Sequence, residues 1–165
     1  MIRYRAVTKR RTPKDRQLVK DNEYRALSQF RHHIDHYLEF SDIAAKAAGI
    51  EPRQYQLMLS IKGLPINAAP TVGTLAERLN IRHHSTVELV NRAENNGFVC
   101  RERAANGSHV YVRLTPKGLQ ILERAVAERL KELQSAGPVL VDTLRRLLRS
   151  ADKPKRGRKQ SKPEG

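Results

Sequence analysis

From Tyr24 onward the apolar residues recur at helical spacing, with Leu27, Phe30, Ile34, Tyr37, Leu38 and Ala44 at steps of three and four. That stripe predicts one long amphipathic helix over about 24–48, with Gly49 placed to end it in a left-handed cap. Pro52 suits a first helical position, and Tyr55, Leu57, Met58 and Ile61 fill a second helix that stops at Gly63-Leu64-Pro65. Pro65 to Pro70 reads as a loop. Two short helices follow, roughly 71–79 and 83–96, the second ended by Asn96-Gly97.

The period then changes. Val110 and Val112 alternate with His109, Tyr111 and Arg113, a strand pattern. Phe98–Arg103 and His109–Leu114 are predicted to pair as a hairpin. Its tip is Ala105-Asn106-Gly107-Ser108, where Asn-Gly signals a tight primed turn. Thr115-Pro116 opens another helix as cap and first turn, with Leu119, Leu122, Val126, Leu130 and Leu133 along one stripe. Gly137-Pro138 is expected to break it, leaving a final amphipathic helix from about Val139 to Arg149. Neither end of the chain carries apolar periodicity. The organisation read from this pattern is a basic flexible arm (1–20), one domain (21–149) and a basic disordered tail (150–165).

The stretch LAERLNIRHHSTVELVNRAENNGFV, Leu75 to Val99, carries the function. Leu75, Ala76, Leu79, Ile81 and Leu89 have the spacing to lock two short helices at a fixed crossing angle. Ala76 is small where the helices meet, and Asn80 stands at the turn, where a left-handed residue is needed. Such a pair is a helix-turn-helix, and the hairpin after it makes a winged helix. The polar opening of the second helix then has a purpose, because a helix that enters the major groove presents polar side chains.

With Leu89, Val90 and Ala93 inward, His84, Ser85, Glu88, Asn91 and Arg92 face out. Serine donates or accepts at a base edge, asparagine reads adenine, and glutamate accepts from cytosine N4. Arg82 and Arg92 suit phosphates, and His83 and Thr86 complete the polar front. Ser85-Thr86-Val87-Glu88 also fits the capping box S/T-x-x-E, so base contact and capping are both open for Ser85 and Glu88.

Charge sharpens the picture less than its total suggests. Of a net +15, residues 1–20 hold eight Lys/Arg against one Asp, and residues 150–165 hold six against two acids. Only four of the fifteen excess charges remain on 21–149. The ends therefore suit non-specific attraction to phosphates. The single cysteine, Cys100, excludes an internal disulfide framework and points to a reducing cytoplasm. No leader or membrane-spanning run is visible. His32 and His36 lie one turn apart beside His33, but no second ligand pair accompanies them, so no metal or cofactor is expected. His84-Ser85 has no acid partner and no glycine loop cradles phosphate, so no enzyme activity is expected.

LAERLNIRHHSTVELVNRAENNGFVCRERAANGSHVYVRLTPKG resembles the core of the MarR-type regulators, the multiple-antibiotic-resistance repressors of bacteria. RLTPKG after the wing is especially typical, and the order of flanking helices extends the resemblance to about 24–149. It implies a mainly α fold, with a winged helix over about 52–115 and dimerisation helices over about 24–48 and 116–149. It further implies a homodimer on a pseudo-palindromic operator, acting as a repressor in the cytoplasm at the nucleoid. The wing would reach the minor groove through Arg101, Arg103, Asn106, Gly107, Ser108 and His109. A small aromatic effector would sit near Phe30, His33, Tyr37 and Tyr55. The tip departs from the family by being one residue shorter and by having no arginine, so weaker or backbone-only wing contacts are expected. Two other functions fit the same chain: a sequence-tolerant nucleic-acid binder driven by its basic ends, and a winged helix that docks a partner protein.

Overall fold

The computed structural model describes residues 19–104, 107 and 109–151. The arm up to residue 18, the tail from 152, and Ala105, Asn106 and Ser108 of the expected wing tip lie outside the described residues. The elements run α1 (Asp21–Ala47), α2 (Pro52–Lys62), α3 (Val72–Leu79), α4 (His83–Asn95), β1 (Val99–Arg103), β2 (Val110–Leu114) and α5 (Pro116–Ala151).

Two helices differ from the prediction. α1 starts at Asp21, ahead of the first apolar residue Tyr24, because polar groups set its start. The Glu23 carboxylate accepts the Lys20 N–H at 2.8 Å, and Asp21 and Glu23 face the positive end of the helix dipole. The predicted break at Gly137-Pro138 is also wrong, since α5 continues through Pro138. Proline forfeits one helical hydrogen bond and its ring crowds the carbonyl four residues back, but the further clash with the Cβ of the preceding residue is absent here, because Gly137 has none. Thr143, beyond the proline, is buried and donates to the Val139 carbonyl at 2.8 Å, so this end of the helix is packed as well.

The ends of α1 and α4 share one device. The Ile50 N–H reaches the Ala45 carbonyl (3.0 Å) and the Gly49 N–H the Lys46 carbonyl (2.9 Å), with Gly49 at φ +78. The predicted cap at Gly49 is present. At the end of α4, Phe98 and Gly97 repeat it on Ala93 and Glu94.

The core lies under the helix-turn-helix. Ile50, Leu57, Met58, Leu75, Val90, Val99 and Val112 are all but completely buried, and Leu122 and Ala125 of α5 close it from one side. Antiparallel β1 and β2 pair Val99 with Leu114 and Arg101 with Val112. Val112 is buried at the base of the hairpin. Val110 is exposed, because two residues farther along the strand has left the lobe.

The Thr115–Gly118 segment ties the hairpin to α5. The Thr115 hydroxyl donates to the Gly97 carbonyl (2.6 Å) and accepts the Gly118 N–H (3.0 Å), capping α5. Lys117 Nζ donates to the Asn96 carbonyl (2.8 Å) and lies 5.3 Å from the centre of the Phe98 ring. A Cβ at Gly118 would stand 2.0 Å from the Phe98 carbonyl oxygen, so only glycine fits there.

Outside the lobe the pattern changes. α1 and α5 pack along each other more extensively than any other helix pair, yet α1 buries only Ala45. Leu27 and Leu38 of α1 and Leu130, Val139 and Leu148 of α5 remain half exposed or more. The apolar stripes of the sequence are present, but one copy of the chain does not cover them.

Candidate nucleic-acid interface

α3 is capped by Thr71, whose hydroxyl accepts the Thr74 N–H at 3.2 Å. It ends at Asn80, the only non-glycine residue with positive φ among the described residues, at +53. The Ile81 N–H then reaches back to the Ala76 carbonyl (3.1 Å). This fold-back fixes the angle between α3 and α4: Leu75 and Leu89 share one buried cluster with Leu79 and Ile81 packed against it, as the spacing predicted, and Ala76 is buried.

α4 turns Thr86, Leu89, Val90 and Ala93 into the core and leaves His83, His84, Glu88, Asn91 and Arg92 exposed. Ser85 is half-buried at the margin, and Arg82 is exposed at the N-cap position. Thr86 is a correction. It is fully buried and its hydroxyl donates to the Arg82 carbonyl at 3.1 Å, so it cannot belong to a contact surface. It lies one turn before Val90 on the same helical face, a relation that its polar type concealed. The capping box is a second correction. The helix begins at His83 with Arg82 at the cap, so Ser85 and Glu88 stand inside the helix and cannot close a box there.

The wing meets α4 through Arg101. Its side chain pairs with the Glu94 carboxylate, its backbone N–H donates to Glu94 Oε1 (3.2 Å), and its Nη2 donates to Asn91 Oδ1 (2.6 Å). Arg101 is therefore only partly exposed and is directed at α4. Glu94 was missed in the sequence, because its partner is reached only after the chain reverses at Gly97. Arg103 is exposed. Arg113 pairs with the Glu102 carboxylate across the hairpin. The Gly107 N–H closes a turn on the Ala104 carbonyl (2.8 Å), and the Ala104 N–H donates to the His109 carbonyl (2.8 Å). The connection is thus longer than a two-residue primed turn, with Gly107 closing the turn at φ +70.

Of the four residues expected around an effector, Tyr37 and Tyr55 lie close enough for the one to raise the pKa of the other. Phe30, His33 and Tyr37 are half-buried along α1, whereas Tyr55 is buried in α2. The Arg129 guanidinium lies 3.3 Å from the centre of the Tyr55 ring and also donates to the Ser41 carbonyl. Burial pushes the Tyr55 phenol above its ordinary value, and the neighbouring Arg129 charge opposes that shift. An open cleft of 680 Å³ lies between Phe40, Ile43 and Ala47 of α1 and Ile121, Arg124 and Glu128 of α5, and none of the four lines it. The His32 and His33 rings lie 5.7 Å apart, tilted by 47°, and no three His, Cys, Asp or Glu gather at metal-binding distance among the described residues. Cys100 is exposed on β1.

A helix-turn-helix whose second helix is followed by a two-stranded wing, set between long first and last helices, matches solved structures over most of its length. A protein from Bacillus stearothermophilus described as MarR family shares 24% identity, covering 82% of this chain and 99% of that one, at a TM-score of 0.63. This is the MarR winged-helix fold. Sco3205 of Streptomyces coelicolor, a MarR family transcriptional regulator solved in complex with DNA, shares 18% identity over 86% of this chain and 94% of its own (TM-score 0.60). A mutant of S. aureus MepR bound to an oligodeoxyribonucleotide shares 15% over 76% and 98% (TM-score 0.58). No family model and no curated protein matches the chain. Within the MarR fold, the residues above occupy the helix-turn-helix and the wing. No helix among the described residues is long and apolar enough to cross a membrane.

Proposed function

We propose that this chain is a sequence-specific DNA-binding transcriptional regulator, a cytoplasmic repressor that holds a pseudo-palindromic operator as a homodimer. One observation carries the reading: α4 has one face locked in the core and an opposite face of exposed polar residues, His83, His84, Glu88, Asn91 and Arg92. Ser85, Glu88 and Asn91 would read base edges, and Arg82, Arg92 and Arg103 would hold phosphates. Two proteins with this fold were solved with DNA or an oligodeoxyribonucleotide, which supports the same use here. The exposed apolar faces of α1 and α5 support pairing with a second copy, which would set two α4 helices at a fixed spacing. A small effector that alters that spacing would release the operator.

The test is selection of bound fragments from random duplex DNA, followed by competition with excess non-specific duplex. The expected consensus is palindromic, with half-sites about one helical turn apart, and the selected site survives competition. Asn91→Ala and Ser85→Ala each remove recognition at one position per half-site. A protein that grips all duplexes alike would contradict the proposal.

A second reading draws on the charge distribution, since eleven of the fifteen excess positive charges lie in residues 1–20 and 150–165. A binder driven by these ends would be sequence-tolerant and strongly salt-dependent. It loses its selected site to random competitor in the experiment above.

A further inference from the structure

The contacts of Arg101 bear on what Asn91 can recognise, given the reading of α4 as the helix that enters the groove. Arginine carries only donors, so the Asn91 amide atom that faces its Nη2 at 2.6 Å must be the carbonyl oxygen. The flip of Asn91 is thereby fixed by its partner. Arg101 is itself held in place, because the Glu94 carboxylate takes both its guanidinium and its backbone N–H. That ion pair also offsets the charge that would otherwise draw Arg101 to a phosphate. Arg101 engages one of the two lone pairs of that oxygen, and the exposed Asn91 presents its unengaged –NH2 end to DNA.

Reading adenine takes both ends of an amide, the oxygen on N6–H and the nitrogen on N7. Guanine presents two acceptors, O6 and N7, at the same edge, which matches a donor end alone. We infer that Arg101 sets the base preference of this protein indirectly, as a positioning residue that turns Asn91 from an adenine reader into a guanine reader. The Glu94–Arg101–Asn91 chain is thus a specificity device that joins wing to recognition helix. Arg101 is withdrawn from the groove to serve it.

The experiment is binding selection from random duplex DNA with the full chain, Arg101→Met, Arg101→Lys, Asn91→Ala and the double variant Arg101→Met/Asn91→Ala. The wild type should prefer guanine by about tenfold or more at one position of each half-site, a preference that Asn91→Ala abolishes. Arg101→Met should relax it to less than about threefold and admit adenine, with the other positions unchanged. Arg101→Lys can still pair with Glu94 but cannot also span to Asn91, so it should relax the same position while keeping the wing anchored. The double variant should match Asn91→Ala alone, as expected of residues that act as one unit. Uniform loss of affinity for every sequence in Arg101→Met, with the guanine preference intact, would make Arg101 a phosphate contact and overturn the inference. So would an adenine preference at that position in the wild type. A wild type with no base preference anywhere would instead bring down the regulator reading on which this rests.

Discussion

Replacing Gly118 by alanine tests how the wing is tied to α5. The added Cβ would lie 2.0 Å from the Phe98 carbonyl oxygen, 2.8 Å from its carbon and 3.0 Å from Cα. All three are backbone atoms, so no side chain can swing away. Relief needs a shift of about 1 Å to reach even the shortest contacts that Cβ atoms make. The same oxygen accepts the Thr115 N–H at 3.0 Å, so moving it weakens that bond; the Thr115 hydroxyl, 3.3 Å away, gives its one proton to the nearer Gly97 carbonyl. One weakened hydrogen bond at about 1 kcal/mol, with about 1–3 kcal/mol of overpacking, gives a loss of about 2–4 kcal/mol. The helix preference of alanine returns at most about 1 kcal/mol, leaving a net loss of about 1–3 kcal/mol. At this chain length that lowers Tm by roughly 2–12 °C in thermal unfolding followed by circular dichroism, at one fixed protein concentration. Gly73→Ala is the control. Its Cβ would meet only the Thr71 hydroxyl at 3.8 Å, an ordinary contact, so it should leave Tm unchanged or raise it slightly. If Gly118→Ala melts with the wild type, the close approach is not what the glycine serves.

Other expectations follow from the same structure. Leu144→Asp and Leu148→Asp alter side chains that are already 40% and 63% exposed, so under the proposed pairing each should retain helical circular dichroism and shift sedimentation from dimer to monomer. An unchanged mass would place the pairing surface elsewhere. Removing residues 1–20 and 150–165 takes away fourteen Lys/Arg, which should flatten the slope of log K against log salt while keeping the selected consensus. An identical slope would show that the ends do not touch phosphate. For Tyr55, burial raises the folded-state pKa above the unfolded value of 10.0, so its contribution is complete below pH 10 and is lost as pH climbs through the higher folded value. Ultraviolet titration should therefore show one late-ionising tyrosine that disappears in Tyr55→Phe. Its persistence in that variant would assign the shift to another ring.

Much of the helix-turn-helix was legible because its determinants are local. Leu75, Ala76, Leu89 and Val90 announce their faces by spacing, and Asn80 announces the turn because few residues tolerate its left-handed backbone. Pro52 and Thr115-Pro116 marked helix starts for equally local reasons. Local rules also misled. Pro138 looks like a breaker until the missing side chain of Gly137 is considered, and Ser85-x-x-Glu88 looks like a box until α4 is seen to begin at His83.

The sequence by itself determined the order and period of the elements, since these depend on neighbours three or four residues apart. It also set the polar character of the front of α4. Only the tertiary structure decided which polar residues are free to act. Thr86 sinks into the core because it shares a face with Val90, and Arg101 turns to Glu94 and Asn91 because the chain reverses at Gly97. Both outcomes depend on how two elements are aimed at each other in space, and composition and periodicity do not encode that direction.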